Sequence, residues 1–244
     1  MDLSPSERGA TEVLRDAELE LLGVLSGASN HTLLVRLVGD VDRFAVYKPQ
    51  RGERPLWDFP SGTLCRREVA AYQVSDLLGW GLVPPTVLRD GPLGTGSVQQ
   101  FMLHDPSEHY FTLITDPEQH DRLVQLATFD LLINNADRKG GHVLRVRDPD
   151  RLVGIDHGLT FHVQPKLRTV IWEFAGLPIP GQMLRDLIHL QTRLQQNESL
   201  LNTQLRQHLS AREIRALLRR LDKICRQGQF PNPGPGRHYP WPPV

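Results

Sequence analysis

"LLINNADRKGGHVL", residues 131–144, is the stretch on which the reading of this chain turns. An apolar run of helical period stops at Asn134 and Asn135, and the pattern becomes strand-like again at "HVLRVR". Between them a short glycine-containing loop carries an acid, Asp137, two cations, Arg138 and Lys139, and a histidine, His142. Fourteen residues beyond His142, "GIDHG" places Asp156 just after a second short apolar strand. A hairpin joining the two strands returns His142 and Asp156 to the same open end. There the pair has the chemistry to grip a divalent cation, with Asp137 beside it to orient a nucleophile. Phosphoryl transfer asks for such a set: an acid for the attacking hydroxyl, a cation near the moving phosphate, and metal ligands that bridge phosphate oxygens.

Working outward, the N-terminal half supplies the partners this chemistry needs. "ELELLGVL", "TLLVRLV" and "RFAVYKP" are β-prone runs separated by "SGASNH" and "GDVD", the spacing of an antiparallel meander. In the third run Phe44, Val46 and Lys48 share one face at period two, and a lysine among apolar neighbours needs a reason. "SGTLCRREVAAYQVSDLLG" reads as a helix stopped by Gly79. It carries Glu68, a carboxylate able to position Lys48; Glu53 also follows Lys48, on a proline-containing loop. Two more strand candidates, "VPPTVLRD" and "GSVQQFML", come before a helix that begins near Asp116-Pro117 and runs into the opening loop. Asp130 on that helix is expected to brace the loop's backbone.

The totals exclude several classes. Lys+Arg and Asp+Glu each number 28 in 244 residues, so no global charge draws the chain to nucleic acid or an anionic membrane. Two cysteines, Cys65 and Cys225, are too few for a disulfide framework and fit a reducing, cytoplasmic setting. No apolar run approaches the roughly 18–20 residues of a membrane span.

The order of parts resembles the protein-kinase-like superfamily, most closely its phosphatidylinositol 3-/4-kinase-like branch and that branch's small bacterial members. The resemblance spans roughly residues 18–160. It implies that "VLSGASNHTLLV" covers the phosphates of ATP, with Ser26, Ser29 and Asn30 and their backbone N–H groups as phosphate contacts. It implies further that Lys48 holds the α- and β-phosphates, positioned by Glu68, that Val46 packs on adenine, and that Phe101, Met102 and Leu103 form the hinge beside it. The branch's Asp-Arg-His-x-x-Asn stretch appears here as "DRKGGH", so Asp137 and Arg138 match and Lys139 takes the histidine's place. Lys139 then neutralises the transferred phosphate. His142 replaces the metal-binding asparagine and Asp156 matches the metal-binding aspartate. An imidazole is softer than an amide oxygen and favours Mn²⁺ over Mg²⁺.

The fold expected is α+β and bilobal, a protein-kinase-like fold with an antiparallel β N-lobe and a mainly helical C-lobe. Residues 1–17 are read as an N-terminal extension, 18–104 as the N-lobe and 105–228 as the C-lobe. Residues 229–244 hold six prolines and read as an extended, disordered tail. The function expected is an ATP-dependent kinase acting on an unidentified hydroxyl acceptor (a protein, a lipid head group or a small molecule) with Mg²⁺ or Mn²⁺. Two alternatives share the fold: a nucleotide-binding pseudokinase with a regulatory role, suggested by His142, and an AMP transferase. The C-terminal helices and the proline-rich tail are the surfaces a protein partner would use.

Overall fold

The structure is a computed structural model that describes residues 5–25, 31–39, 43–196 and 204–244. Five strands form one antiparallel sheet in the order β1-β2-β3-β5-β4. They are β1 (Glu18–Val24), β2 (Leu33–Val38), β3 (Arg43–Pro49), β4 (Thr86–Gly91) and β5 (Gly94–Gln100). Side chains alternate across the sheet, so its two faces have separate uses. Leu19, Val35, Leu37, Ala45, Tyr47, Val87 and Val98 bury together on one face with Leu14 of helix α1 (Pro5–Asp16). Within the stretch read as an N-terminal extension, Pro5–Asp16 is therefore a helix that covers the sheet, and Arg89 Nη1 holds its end by donating to Leu14 O and Ala17 O. The opposite face carries Leu34, Val46 and Lys48, because Leu34 pairs with Val46, Val46 with Gln99 and Lys48 with Ser97.

Helix α2 (Leu64–Leu78) packs on this second face and stops where Gly79 takes a left-handed φ of 69°, which a residue without Cβ adopts at little cost. Below it lies the helical lobe. Its axis is α4 (His120–Ile133), whose Leu123, Leu126, Phe129, Leu132 and Ile133 are fully buried. The one-turn α3 (Tyr110–Leu113) precedes it; α5 (Gly181–Gln196) and α6 (Ala211–Gln227) pack around it, the latter opened by a reciprocal Ser210–Glu213 capping box. Asn134 ends α4 in the left-handed region, at φ 56°, and so turns the chain sharply into the loop at 135–142. A hairpin of β6 (Val143–Arg147) and β7 (Asp150–Gly154) follows, as the spacing of His142 and Asp156 predicts.

Three contacts seat the lobes on each other. Gly154 N–H donates to Leu82 O at 2.7 Å. Buried Met102 packs on Leu144, Val146 and Val153 of the hairpin. Arg67 of α2, fully buried, donates to Thr160 O at 2.6 Å and pairs with Glu213 of α6. The helix that carries Glu68 is thus held by the lower lobe. Among the described residues, no helix is long and apolar enough to cross a membrane.

Candidate active site

Lys48 stands at the centre of the cleft between the lobes. Its Nζ lies 2.5 Å from Glu68 Oε1 and 2.9 Å from Asp156 Oδ1. Glu68, rather than Glu53, is the lysine's helix partner; Glu53 instead accepts the N–H of Cys65 at 2.8 Å and caps the start of α2. One cation between two carboxylates sets the electrostatics. Burial would discharge Lys48, but Asp156 and Glu68 outweigh it and hold its ammonium well above the usual lysine range. Burial raises Glu68 above the ordinary carboxylate value in spite of Lys48. Asp156 also suffers burial, yet Lys48 and His142 together pull it well below the carboxylate range.

The backbone explains why Asp156 reaches this point. Its φ is +58°, a left-handed conformation that short polar residues tolerate best and that a surrounding structure must enforce. The enforcing contacts are visible. Ile155 N–H donates to His142 O at 3.0 Å, and His157 N–H donates to Glu68 Oε2 at 2.8 Å. Solvent still reaches 49% of the Asp156 side chain through the open cleft. His142 Nε2 lies 3.4 Å from Asp156 Oδ2, so the two expected metal ligands face each other. Burial lowers the His142 imidazole to about 4, which leaves it neutral and able to ligate at pH 7. A neutral imidazole nitrogen beside an ionised carboxylate suits a divalent cation. Among the described residues no three His, Cys, Asp or Glu side chains form a metal cage.

Asp137 forms the far wall of the same cleft, with Lys48, Glu68 and Asp156. Its N–H donates to Asn135 Oδ1 at 3.0 Å, and its Oδ2 lies 3.6 Å from Lys139 Nζ. Burial raises its carboxyl to about 6, offset in part by Lys139. That value suits a group that must take a proton near neutrality. Arg138 is placed otherwise than a residue facing an acceptor. It is fully buried, its guanidinium forked onto Asp130 at 2.8 and 3.0 Å. The same group donates to Ile155 O at 2.8 Å and His142 O at 3.1 Å, and contacts His157 Nε2 at 2.7 Å. Arg138 therefore ties α4, the loop and the turn that carries Asp156 into one unit. Asp130 is its buried counter-charge and accepts Asn135 Nδ2 as well, at 2.9 Å.

The residues expected to face a nucleotide fall as follows. Val46 is half-buried on the cleft face of β3. Phe101 N–H donates to Phe44 O at 3.0 Å, which continues β5 toward the lower lobe. Met102 is buried, and its carbonyl accepts His104 Nδ1–H at 2.9 Å. The Leu103 side chain is 82% exposed and turns out to solvent. Ser26, Ser29 and Asn30 lie outside the described residues. Sequence reasoning missed Leu34, which register places opposite Val46, and Ile155, which packs beside Met102. It also missed the part played by His157. That ring is fully buried, and burial with the Arg138 charge keeps it neutral, so Nε2 accepts from Arg138. No spacing rule marks such a residue, because its partners are 19 and 89 positions away.

The Mycobacterium tuberculosis Protein Rv2133c is 41% identical to this chain, over 94% of each. The chain belongs to the family of Rv2133c. No protein-family model matches this Rv2133c relative. Solved structures with the same fold include a Helicobacter pylori proinflammatory kinase, CtkA, at TM-score 0.55 and 14% identity, over 88% of this chain and 94% of that one. A Golgi casein kinase with Mn/ADP bound has TM-score 0.59 at 16% identity, over 93% of this chain and 80% of that one. A hydra Fam20 protein has TM-score 0.57 at 16% identity, over 92% and 88%. At such identities the likeness shows the fold alone, and the fold of this chain is protein-kinase-like.

Proposed function

We propose that this member of the Rv2133c family is an ATP-dependent phosphotransferase that moves the γ-phosphate to a hydroxyl acceptor with the help of Mg²⁺ or Mn²⁺. The observation that carries the proposal is the seating of Lys48 Nζ between Glu68 Oε1, at 2.5 Å, and Asp156 Oδ1, at 2.9 Å, with Asp137 lining the same cleft. The solved casein kinase of this fold with Mn/ADP bound supports nucleotide and metal as ligands of such a cleft. The sequence "NADRKGGH" supports placing the protein beside the phosphatidylinositol 3-/4-kinase-like branch.

In this reading Lys48 binds the non-transferred phosphates, and Glu68 fixes where its ammonium points. His142 Nε2 and Asp156 Oδ2 would hold the cation, which when bound neutralises phosphate charge. Asp137 accepts the proton of the acceptor hydroxyl as its oxygen forms the new O–P bond and the bond to the β-phosphate breaks, releasing ADP. Lys139, beside Asp137, balances charge on the moving group. Val46, Leu34 and Ile155 give the adenine ring apolar walls. The two free cysteines are consistent with a cytoplasmic setting. Incubation with α-labelled and γ-labelled ATP in parallel tests the reaction class. The γ label should leave the nucleotide while the α label stays in ADP; α label on any acceptor would replace this reading with AMP transfer.

A further inference from the structure

The proline-rich tail is docked, not free. From Gly228 it runs beside the segment that follows the metal-ligand turn. Ile179 N–H donates to Gly228 O at 2.9 Å, Phe230 N–H to Leu177 O at 2.9 Å and Gly176 N–H to Phe230 O at 3.1 Å. It then crosses the loop that carries Asp137. Thr169 N–H and the Trp172 indole N–H both donate to His238 O at 3.1 Å, and Gly140 N–H donates to Pro243 O at 2.7 Å. Pro240 is buried between these anchors, and the His238 ring meets Trp172 edge-on at 6.0 Å. A Cβ at Gly140 would stand 2.9 Å from the Phe111 ring and 3.4 Å from Pro243 O, so this close approach needs glycine.

An extended peptide commonly takes its register from main-chain hydrogen bonds to a free backbone edge. Beside Asp137 two such amides are those of Gly140 and of Thr169, which bridges Arg138, and residues 238–243 already use both. The cleft next to them is different. It has a volume of about 310 Å³, at the small end for a ligand pocket, and no residue of the tail lines it. On its wall Glu53 Oε2 is buried without a donor while Oε1 serves Cys65.

We propose that residues 237–243 fill the lane an extended peptide acceptor would take, and that the acceptor is a small hydroxyl compound reaching Asp137 through the cleft beside Glu53. The proposal rests on the phosphoryl-transfer reading and deepens it with a substrate class. Its test uses the full-length protein, wild type and Trp172→Phe/Pro240→Gly, which loosens the strap without touching the cleft. Each is given γ-labelled ATP and dephosphorylated casein, an unstructured protein acceptor, with release of labelled phosphate to water measured alongside. The loosened variant should label casein about tenfold more than wild type, while transfer to water, a small acceptor, stays within about twofold. Equal casein labelling by two proteins that both release phosphate overturns the proposal. ATP consumption by neither protein would sink the phosphoryl-transfer reading instead. Amide exchange then decides the strap by itself: Gly140 and Thr169 should be protected in wild type and exposed in the variant, and rapid exchange in wild type overturns the proposal.

Discussion

The backbone N–H of His157 donates to Glu68 Oε2 at 2.8 Å, while the other oxygen of Glu68 holds Lys48 at 2.5 Å. The turn that presents Asp156 and the helix that positions Lys48 therefore meet in one carboxylate. With Arg67 fastening the same helix to Thr160 O and Glu213, the position of the Lys48 ammonium is set before any ligand arrives.

Removing that carboxylate should undo both halves. Glu68→Ala leaves the His157 amide without an acceptor in a buried setting, which costs about 1–3 kcal/mol. Denaturant unfolding should register that loss, and turnover should fall further than stability alone explains, because Lys48 is left to pair with Asp156 only. Unchanged turnover in a folded Glu68→Ala protein would remove Lys48 and Glu68 from the account.

Asp137 gives a pH prediction. Its carboxyl is raised by burial to about 6 in the folded protein, so turnover that needs the carboxylate should fall as pH drops through about 6. The folded value exceeds the unfolded one. The native state therefore binds more protons between the two values, and Asp137 costs stability as pH rises through that window. Asp137→Asn should accordingly stabilise the fold at pH 7 by about 2 kcal/mol or less, while turnover drops by about 100-fold or more. A pH–rate profile and a pair of unfolding curves check both signs. A variant that is less stable at pH 7 than wild type contradicts the burial argument.

Arg138 should behave as a structural cation. Arg138→Met strands the Asp130 carboxylate in the core and frees the carbonyls of His142 and Ile155, so a loss of about 3–5 kcal/mol is expected. Asp130→Asn added to Arg138→Met should recover part of that loss, since the buried charge is gone. A double variant no more stable than the single one would show that the ion pair is not what Arg138 contributes.

His142 and Asp156 give the metal prediction. Asp156→Ala should weaken Mg·ATP and Mn·ATP binding by at least the roughly 10–100-fold that losing even a supporting group costs a metal site. His142→Asn, which exchanges an imidazole nitrogen for an amide oxygen, should shift the preference from Mn²⁺ toward Mg²⁺. Calorimetric titration with each metal separates these effects, and an unchanged affinity in Asp156→Ala would remove it from the metal site.

The bilobal α+β fold was legible because its signals are local. Period-two strands, a glycine-stopped helix and two asparagines ending α4 each announce themselves within a few residues. The proximity of His142 and Asp156, with Asp137 beside them, followed from the hairpin between them; that of Lys48 and Glu68 was implied by the family resemblance. The first helix escaped because its buried face rests on Leu14 and few apolar neighbours, and "SPSERGATEVLRD" reads as polar. The role of Arg138 escaped because a loop arginine next to Asp137 looks like chemistry until its burial is known. The docked tail could not be read at all: its anchors are backbone carbonyls at 238 and 243, and a carbonyl leaves no mark in a sequence.

The central claim is that this cleft transfers the γ-phosphate of ATP with Asp137 as its proton acceptor. Consumption of γ-labelled ATP should be followed with Mg²⁺ and with Mn²⁺, for wild type and Asp137→Ala. The account predicts metal-dependent loss of the label from ATP in wild type, faster with Mn²⁺, and its collapse in the variant while ATP still binds. Tight ATP binding by wild type with no loss of γ label under either metal would contradict it and leave a nucleotide-binding protein that has lost the reaction.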